Sequence, residues 1–410
     1  MSFQQHREQL KAALPDKSIV VSYAGIPVHT NEDDAYSFEV NSQYFYLTGI
    51  DRAHTALVML KSGETLMEVL FIEEADPLME RWTGKMPTKE EVTAVSGVKE
   101  VRYIDALESS IMRIMGRFDV ENAYFDLTPG TPGIPDYNFV KAREFAARYP
   151  AVRLADLRKA VLPFREIKDE DELQRMRAAV DLTRQGLEYV MKNLKPGMME
   201  YQVQADFEYT CRRLGAKKFA FSTIAGSGLN GCMMHYGTNH CEVKDGSLIL
   251  LDLGAKYENY CSDITRTYPA NGKFSARQRQ FYDIVLKANL AVRDAAKPGV
   301  TTGELNEVAK KVLAEGLVEL GLIKDASEVG KYYMHGVSHP IGIDCHDVQF
   351  TGDKLRPGFV ISDEPGLYID EEEIGIRIED DLLITEDGCE VLSAAILRTP
   401  DEIEAFMAER

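Results

Sequence analysis

Residues Leu248–Thr267, LILLDLGAKYENYCSDITRT, contain two carboxylates around which the rest of the chain can be organised. The pattern predicts two β-strands joined by a turn, with Asp252 in the first strand and Asp263 in the second. A turn centred on residues 257–258 would place the two aspartates directly opposite each other, with Cβ atoms roughly 4.5–5.5 Å apart. Buried carboxylates at that distance repel strongly, so we expect a divalent cation between them.

Composition and charge narrow the class of protein. The chain of 410 residues is 28% charged and 45% hydrophobic, which is typical of a globular protein with two or three domains. Its formal net charge of −19 argues against nucleic acid and anionic membranes as partners. No run of about 18 apolar residues occurs, so we predict no membrane span. The N-terminal segment lacks the apolar core of a secretory signal and the six cysteines form no CxxC pair, so a cytoplasmic location is expected.

Strand-like and helix-like segments alternate through residues 1–163. Short β-prone runs occur at Ser18–Tyr23, Ala56–Leu60 and Met67–Ile72, and Lys89–Val95 has a helical pattern. This alternation predicts an α/β domain. The domain has no clustered histidines or cysteines, so we expect it to be accessory to the chemistry rather than its site.

A second domain is predicted for residues 164–410. Pro163 and the charged run Arg165–Glu172 have the composition of a linker, and Asp169 or Asp171 can cap the helix that follows. Apolar residues at helical spacing continue from this cap.

A weak internal repeat divides this second domain. A Lys-Pro-Gly turn between two helical patterns occurs at Lys195–Gly197 and again at Lys297–Gly299, and each copy leads into a β-rich stretch. The repeat predicts a duplicated α+β unit with a site between its halves.

The glycine-rich run at residues 226–231, GSGLNG, matches the GxGxxG pattern of dinucleotide-binding proteins. That reading requires a helix that begins at the last glycine, whereas Gly237 and Asn239 would interrupt one. We therefore expect the glycines to let the backbone pass close to a pocket and to bring His235 into it.

Three of the eight histidines occur within the twelve residues His335–His346, HGVSHPIGIDCH. His335 and His339 have the spacing of a helical zinc motif, but Pro340 and the two glycines beside them oppose a helix. The pattern therefore predicts a loop and strand that carry a histidine cluster.

Two further carboxylates lie near predicted strands. Glu364 precedes a Pro-Gly turn at the end of a β-prone run, and Ile374–Asp381 alternates with Arg377 and Glu379 on one face. Taken alone, that face is equally consistent with a solvated strand surface.

Four carboxylates and one imidazole thus form a candidate metal set: Asp252, Asp263, His339, Glu364 and Glu379. Such a set favours harder ions such as Mn²⁺ over a nitrogen- and sulfur-rich zinc site. Five ligands exceed the three usual for one catalytic zinc, whereas two ions bridged by carboxylates would use all five. An ion pair of this kind can hold a hydroxide and polarise a carbonyl, so the residues predict a two-metal hydrolase.

The chain also resembles the aminopeptidase P and prolidase branch of the pita-bread metallopeptidases over nearly its whole length. The resemblance rests on five motifs in the family's order: LLDLGA, SDITRTY, HGVSHPIGIDCHD, EPGLYI and GIRIEDD. It implies an N-terminal domain of the ribonuclease-H-like, creatinase N-terminal type that assists assembly into a homodimer or homotetramer. It also implies a pita-bread catalytic domain with an internal pseudo-two-fold repeat.

For the metal set, the resemblance implies two divalent ions per subunit, most often Mn²⁺, with Co²⁺, Zn²⁺ and Fe²⁺ as alternatives. Asp263 and Glu379 would bridge the ions and Asp252 would chelate one of them. His339 and Glu364 would bind the other ion.

The same resemblance implies roles for residues that contact the substrate. His346 would donate to the substrate carbonyl, and Glu364 would carry protons to the leaving nitrogen. His235 would lie beside the scissile bond and His335 would line a pocket for the proline ring. Arg377 would support the ligand carboxylates.

The function implied is that of a Xaa-Pro aminopeptidase, which releases the first residue from peptides with proline in second position by means of a bridging hydroxide. A prolidase restricted to dipeptides is the alternative, and the N-terminal match SYAGIPVHTNEDDAYSFEVNSQYFYLTGI favours the aminopeptidase. A catalytically silent peptide-binding protein on the same fold is a remote third possibility.

Overall fold

The chain divides into two units, Met1–Arg165 and Glu166–Arg410. The structure is a computed structural model that describes residues 2–131, 133–134, 136–348 and 354–409. Among these residues, no helix is both long enough and apolar enough to cross a lipid bilayer.

The first unit is built on one mixed sheet whose strands alternate with helices. Its elements are, in chain order, α1 (Phe3–Ala13), β1 (Ser18–Tyr23), α2 (Ser42–Thr48), β2 (Ala56–Ser62), β3 (Thr65–Ile72), α3 (Glu80–Thr83), α4 (Lys89–Ser96), β4 (Val101–Tyr103), α5 (Leu107–Arg117), β5 (Asn122–Phe125), α6 (Tyr137–Arg148), β6 (Arg153–Asp156) and α7 (Leu157–Arg165). The strand order is β4-β3-β2-β1-β5-β6. Strand β2 is antiparallel to β1 and β3, and the other neighbours are parallel. The predicted α/β class is confirmed.

Local sequence accounts for several of these elements. The predicted strand Ser18–Tyr23 is β1, in which every residue is buried, as expected for a central strand covered on both faces. Helix α4 begins at Lys89 because Thr88 and Glu91 form a capping box with each other's backbone.

The predicted linker begins too early at Pro163, although the division between the two units does fall within its charged run Arg165–Glu172. Pro163 lies inside helix α7, which continues to Arg165. The apolar face of this helix prevails over the lost backbone hydrogen bond, because Leu157 and Val161 are fully buried. The division between the units therefore follows Arg165.

The second unit combines long helices with short strands. Its elements are, in chain order, α8 (Glu170–Asn193), α9 (Glu200–Arg213), β7 (Lys218–Phe219), β8 (Ile224–Ser227), β9 (Leu248–Leu253), β10 (Ala255–Tyr257), β11 (Tyr260–Cys261), β12 (Ile264–Pro269), α10 (Ala276–Ala295), α11 (Thr302–Glu319), β13 (Val360–Asp363), β14 (Gly366–Ile369), β15 (Ile374–Arg377), β16 (Asp380–Ile384), β17 (Cys389–Val391) and α12 (Pro400–Ala408). The strands form four small sheets: β12-β9-β8, β13-β16-β17, β11-β10-β7 and β14-β15. Helices α8, α10 and α11 share one apolar core with strands β9 and β15.

Helix α8 starts where the sequence predicts. The Asp169 side chain accepts hydrogen bonds from the backbone amides of residues 171 and 172, and the Glu172 carboxylate accepts one from the Asp169 amide. This capping box satisfies amide groups that would otherwise lack a partner at the helix start.

The predicted repeat has a counterpart in the backbone of the second unit. In each Lys-Pro-Gly turn the glycine has a φ of 87°, as shown by Gly197 and Gly299. The Gly197 amide donates to the Val243 carbonyl at 2.9 Å, and the Gly299 amide donates to the Leu355 carbonyl at 2.9 Å. Each acceptor leads into the first strand of an antiparallel pair, β9 with β12 in one copy and β13 with β16 in the other.

The predicted register between Asp252 and Asp263 is wrong by two residues. Asp252 pairs with Thr265, and Asp263 lies just before β12 rather than inside it. The turn centres on Glu258 and Asn259, which have φ angles of 45° and 65°. Two consecutive left-handed residues form the kind of tight hairpin turn whose twist matches the flanking strands, and asparagine tolerates that conformation well.

Candidate metal centre

A cavity of about 610 Å³ in the second unit is lined by all five residues of the candidate metal set. They come from the ends of strands in both copies and from the segment before β13. Asp252 is next to last in β9, and Asp263 immediately precedes β12. In the other copy Glu364 immediately follows β13, and Glu379 immediately precedes β16.

Three of the five come closest together. Ligand atoms of Asp263, His339 and Glu379 all lie within 4.8 Å of one another. The His339 Nε2 atom is 3.3 Å from Asp263 Oδ2 and 3.6 Å from Glu364 Oε1. Asp263 and Glu379 are almost fully buried, at 4% and 2% exposure. Carboxylates packed this closely away from water must be neutralised either by positive charge among them or by protonation.

Asp252 approaches the same cavity from β9. Its Oδ2 atom accepts from Arg377 Nη2 at 2.6 Å. Its Oδ1 atom is buried and has no hydrogen-bond partner among the residues that the structure describes. A buried carboxylate oxygen without a donor is costly, and a cation ligand position would satisfy it. The donor set therefore fits divalent metal.

Burial sets the ionisation of the carboxylates. It raises the pKa of Asp252 to about 6, although Arg377 opposes the shift. It also raises the pKa of Glu364 to about 7 against the charges of His339 and Arg377. For Glu379, burial and then the neighbouring Asp263 charge raise the pKa well above its usual range. Metal ions reverse such shifts because they bind the deprotonated form.

For His339, the neighbouring charges outweigh the effect of burial on the pKa. Burial alone would lower its pKa, but the hydrogen bond to Asp263 and the charges of Asp263 and Glu364 raise it to about 9. Its backbone amide donates to Ser362 Oγ at 2.9 Å, and its carbonyl accepts from the Ser362 amide at 2.9 Å. The imidazole is thus fixed against β13 and held among carboxylates.

The segment that carries the histidine cluster is a loop rather than a helix, as predicted. Pro340 forms an isolated bridge with Ile361 in β13. Asp347 closes the loop, because its amide donates to the Pro340 carbonyl at 2.9 Å and its carboxylate accepts from Lys168 Nζ at 2.8 Å. Both members of this ion pair are buried, so neither can lose its partner without a large penalty.

The other two histidines of the loop also line the cavity. The His346 ring stacks on the His339 ring with centroids 3.9 Å apart. Burial and the charge of His339 lower the pKa of His346. His335 lies against Tyr333, with centroids 4.8 Å apart, and burial lowers its pKa to about 4. Both imidazoles are therefore neutral near pH 7 and can act as hydrogen-bond donors or as apolar walls.

His235 reaches the cavity from the first copy. The segment that follows β8 makes a short 3₁₀ helix, Gly228–Cys232, and then carries His235 to the cavity wall. The glycine-rich run does allow close approach, since a Cβ on Gly226 would lie 2.7 Å from the Asn230 carbonyl oxygen. No helix begins at Gly231, which agrees with the rejected nucleotide reading.

Arg377 and Glu379 are buried, at 4% and 2% exposure, so the solvated-face alternative is wrong. The Arg377 side chain donates to Asp252, to Thr265 Oγ1 at 3.1 Å and to Tyr368 OH at 2.9 Å. The Glu379 carboxylate accepts from Thr265 Oγ1 at 2.6 Å. The Thr265 hydroxyl therefore connects Arg377 to Glu379. Thr265 also pairs with Asp252 across the β9–β12 ladder.

Besides Thr265, sequence reasoning missed three residues that contact the centre. The Tyr368 hydroxyl lies 2.7 Å from His335 Nε2 as well as contacting Arg377. The Cys345 thiol donates to Asp263 Oδ2 at 2.9 Å, and Asp381 Oδ2 accepts from the Asp263 amide at 3.4 Å. All three residues lie inside the quoted motifs, but their types carry no pattern that reveals a partner distant in sequence.

The geometry agrees with the comparison to known proteins. The profile described as Metallopeptidase family M24 matches residues 174–386. The chain belongs to metallopeptidase family M24. The profile of the aminopeptidase P N-terminal domain matches residues 3–123. The two units of this M24 chain therefore correspond to an aminopeptidase P N-terminal domain and a pita-bread catalytic domain.

Relatives of this M24 protein match it from end to end. The Xaa-Pro aminopeptidase of Escherichia coli is 34% identical over 99% of this chain and 97% of its own length. The structure of proline aminopeptidase P II from Yersinia pestis has a TM-score of 0.91 at 33% identity, covering 100% of this chain and 99% of that one. A Bacillus anthracis structure, provisionally named aminopeptidase P, has a TM-score of 0.96 at 43% identity and covers 99% of this chain and 98% of that one. The predicted fold class is confirmed.

Membership of family M24 indicates that the cavity is the site of a metal-dependent peptidase. Its members are metallopeptidases, and the buried carboxylates and imidazole of this chain suit divalent cations. The Asp252 oxygen without a donor and the close group of Asp263, His339 and Glu379 are where such ions fit.

Proposed function

We propose that this chain is a Xaa-Pro aminopeptidase that removes the first residue from peptides with proline in second position. The observation that carries the proposal is the convergence of two buried carboxylates, two half-buried carboxylates and one histidine on a cavity that also contains three further histidines. End-to-end similarity to the Escherichia coli Xaa-Pro aminopeptidase supports the substrate class.

Five residues are proposed to hold two divalent ions: Asp252, Asp263, His339, Glu364 and Glu379. Ions bound there would supply Lewis-acid activation of a water molecule and of the scissile carbonyl. Asp263, His339 and Glu379 would hold an ion most closely, since their ligand atoms form the closest group. Arg377 neutralises Asp252 from the side and keeps its carboxylate fixed. Mn²⁺ is the proposed ion, because oxygen ligands predominate, with Co²⁺, Zn²⁺ and Fe²⁺ as alternatives.

The remaining residues are proposed to handle the peptide. His346, neutral and stacked on His339, donates a hydrogen bond to the scissile carbonyl as it becomes an oxyanion. Glu364 would take a proton from the attacking water and pass it to the leaving proline nitrogen as the peptide C–N bond breaks. His335, neutral and braced by Tyr333 and Tyr368, forms a wall for the proline ring. His235 lies beside the scissile bond.

Three peptides test the function in metal-loaded protein. A tripeptide with proline second should be cleaved after its first residue, and the matched tripeptide with alanine second should not. Cleavage of a Xaa-Pro dipeptide without cleavage of the tripeptide would instead establish the prolidase alternative. Tight binding of the tripeptide without turnover, with metal present by elemental analysis, would establish the silent peptide-binding protein.

Metal identity is tested by chelation and reloading. Protein stripped of metal should regain the highest kcat with Mn²⁺ when Mn²⁺, Co²⁺, Zn²⁺ and Fe²⁺ are compared at equal occupancy. A higher kcat with another ion would replace Mn²⁺ in the proposal and leave the ligand set unchanged.

Assembly into a homodimer or homotetramer is also part of the proposal. The first unit exposes neighbouring apolar side chains at Leu78, Met79 and Trp82, with 63%, 50% and 81% exposure. Such clusters are typical of protein interfaces. Light scattering should give a mass of two or four chains, and Trp82→Asp should reduce it.

A cytoplasmic location is proposed because the six cysteines are free thiols in the described residues.

A further inference from the structure

Glu200, the first residue of α9, has a fully buried carboxylate that five donors surround. Its Oε1 atom accepts from the Ser227 amide at 2.8 Å, from Ser227 Oγ at 2.8 Å and from Asn230 Nδ2 at 3.0 Å. Its Oε2 atom accepts from Tyr236 OH at 2.8 Å and from the Cys241 amide at 2.9 Å. A buried carboxylate with this many donors is strongly fixed, and hydrogen bonds to a charged group are the stronger kind.

All five donors belong to one segment, Ser227–Cys241, which carries His235 to the cavity. They include the first and last residues of the segment and Tyr236, the buried neighbour of His235. Beyond its short 3₁₀ helix the segment has little regular structure. Side-chain contacts with Glu200 therefore take the place of a backbone ladder in fixing its path.

The second copy of the repeat shows that the framework itself does not need this carboxylate. The residue three positions after Gly197 is Glu200, whereas the residue three positions after Gly299 is Thr302. Both turns have the same glycine conformation and equivalent backbone hydrogen bonds. The carboxylate thus serves the segment of the first copy and not the turn.

We propose that Glu200 is a positioning residue for His235, holding Ser227–Cys241 so that the imidazole lies beside the scissile bond. The inference rests on the proposed function, because the role of His235 does. Glu200→Gln is the informative change, since its amide nitrogen must replace one oxygen. Each oxygen faces at least two donors, so neither orientation of the amide satisfies the segment.

A structural test uses the full-length protein after chelation and needs no activity. Hydrogen exchange followed by mass spectrometry should show amides of Ser227–Cys241 exchanging about tenfold faster or more in Glu200→Gln. Amides of β16, which lies outside the segment, should exchange as in the wild type. Unchanged exchange in Ser227–Cys241 would overturn the proposal.

A kinetic test asks whether Glu200 acts through His235. Glu200→Gln should lower kcat/KM for a proline-second tripeptide by about 30-fold, because small displacements of positioned groups are costly. In a His235→Ala background the same change should cost no more than about threefold, since the two residues then act as one unit. An equal loss in both backgrounds would mean a merely structural role and would refute the inference.

Two further variants serve as a milder change and a matched control for the kinetic test. Tyr236→Phe removes one of the five donors and keeps the ring, so it should give a smaller loss that again depends on His235. Glu172→Gln alters another buried carboxylate, one that accepts from Tyr260 OH at 2.9 Å, and should cost the same factor in both backgrounds. If the wild type cleaves no proline-second peptide, the proposed function fails, while the exchange experiment still decides the positioning role.

Discussion

The two copies within the catalytic unit place their carboxylates alike and their histidines differently. Asp252 and Glu364 each lie at the end of the first strand of a pair, and Asp263 and Glu379 each come immediately before the second strand. Of the cavity histidines, the first copy supplies only His235, which lies in the first connecting segment, Ser227–Cys241. The second connecting segment, which begins at His335 and lies before β13, supplies the other three: His335, His339 and His346.

The carboxylates and the histidines differ because strand ends and connecting segments are held in place in different ways. Strand ends are fixed by backbone ladders, so duplicated ladders give duplicated carboxylate positions suited to a pair of cations. In the part of the chain that the structure describes, most of each connecting segment lies outside these ladders, and each copy holds its segment in its own way. Glu200 binds the first segment, while Lys168 and Asp347 close the second.

The largest expected effect comes from removing one of the matched carboxylates. Glu379→Ala should lose at least one ion and lower kcat/KM by about 10⁴-fold or more, because it removes a proposed ligand from the closest group of the centre. Asp263→Ala, its counterpart in the other copy, should do the same. Elemental analysis and steady-state kinetics measure both. Glu371→Ala, which removes an exposed carboxylate, is the control, and retained metal in Glu379→Ala would break the equivalence of the copies.

A histidine of the second segment should matter for turnover but not for metal. His346→Ala should keep both ions and lower kcat by about 10²–10³-fold, the usual cost of a lost oxyanion donor. The exposed His240 of the first segment is the control, and His240→Ala should stay within about twofold of the wild type. Loss of metal in His346→Ala would show that the second segment contributes ligands beyond His339.

The charge of the centre should make the stabilising effect of metal depend on pH. After chelation, the raised pKa values of Asp252 and Glu364, about 6 and about 7, make these carboxyls destabilising once ionised, and this penalty disappears as the pH falls towards 4. The raised pKa of His339, about 9, gives stability that is complete below about 6.5 and is lost as the pH rises through 9.

Both contributions weaken the chelated protein as the pH rises, whereas metal binds the deprotonated ligands more tightly. The difference in Tm between metal-loaded and chelated protein should therefore widen by roughly 5–10 °C between pH 5 and pH 9. Differential scanning calorimetry measures it. A difference that narrows with rising pH would exclude this charge balance.

The smallest expected effect tests the framework itself. Gly197→Ala and Gly299→Ala each force an alanine into a φ of 87°, with open space around the new methyl group. Each should therefore lower the free energy of unfolding by about 1–2 kcal/mol, and by the same amount in both copies. Gly330→Ala, whose φ is not left-handed and whose surroundings are open, should change it by less than about 0.5 kcal/mol. Denaturant titration that gave unequal losses for the two turns would contradict their equivalence.

Much of the local structure could be predicted from the sequence. The Asp169 cap, the buried run of β1 and both Lys-Pro-Gly turns follow from residue types within a few positions of each other. The placement of Glu364 after a strand follows in the same way. These features depend on propensities and capping contacts that act over one or two turns of chain.

Two local predictions were wrong in position, and in each the short-range sequence signal was compatible with more than one backbone structure. The hairpin after β9 turns at Glu258 and Asn259 rather than one residue earlier, because a left-handed asparagine there suits the strand twist. Pro163 suggested a linker, but the buried face of α7 carries the helix past it. In both places the tertiary environment decided between alternatives that local propensity left nearly equal.

By itself, the sequence determined which residue types occur at strand ends and loop positions, and therefore the kind of chemistry that this chain can support. Only the tertiary structure decided that Arg377 would neutralise Asp252, that Tyr368 would contact His335, and that Glu200 would hold the segment carrying His235. The physical reason is that these contacts join residues from different strands, helices and loops. Their partners are chosen by how separate elements pack, and that choice leaves no periodic or spacing signal in the chain.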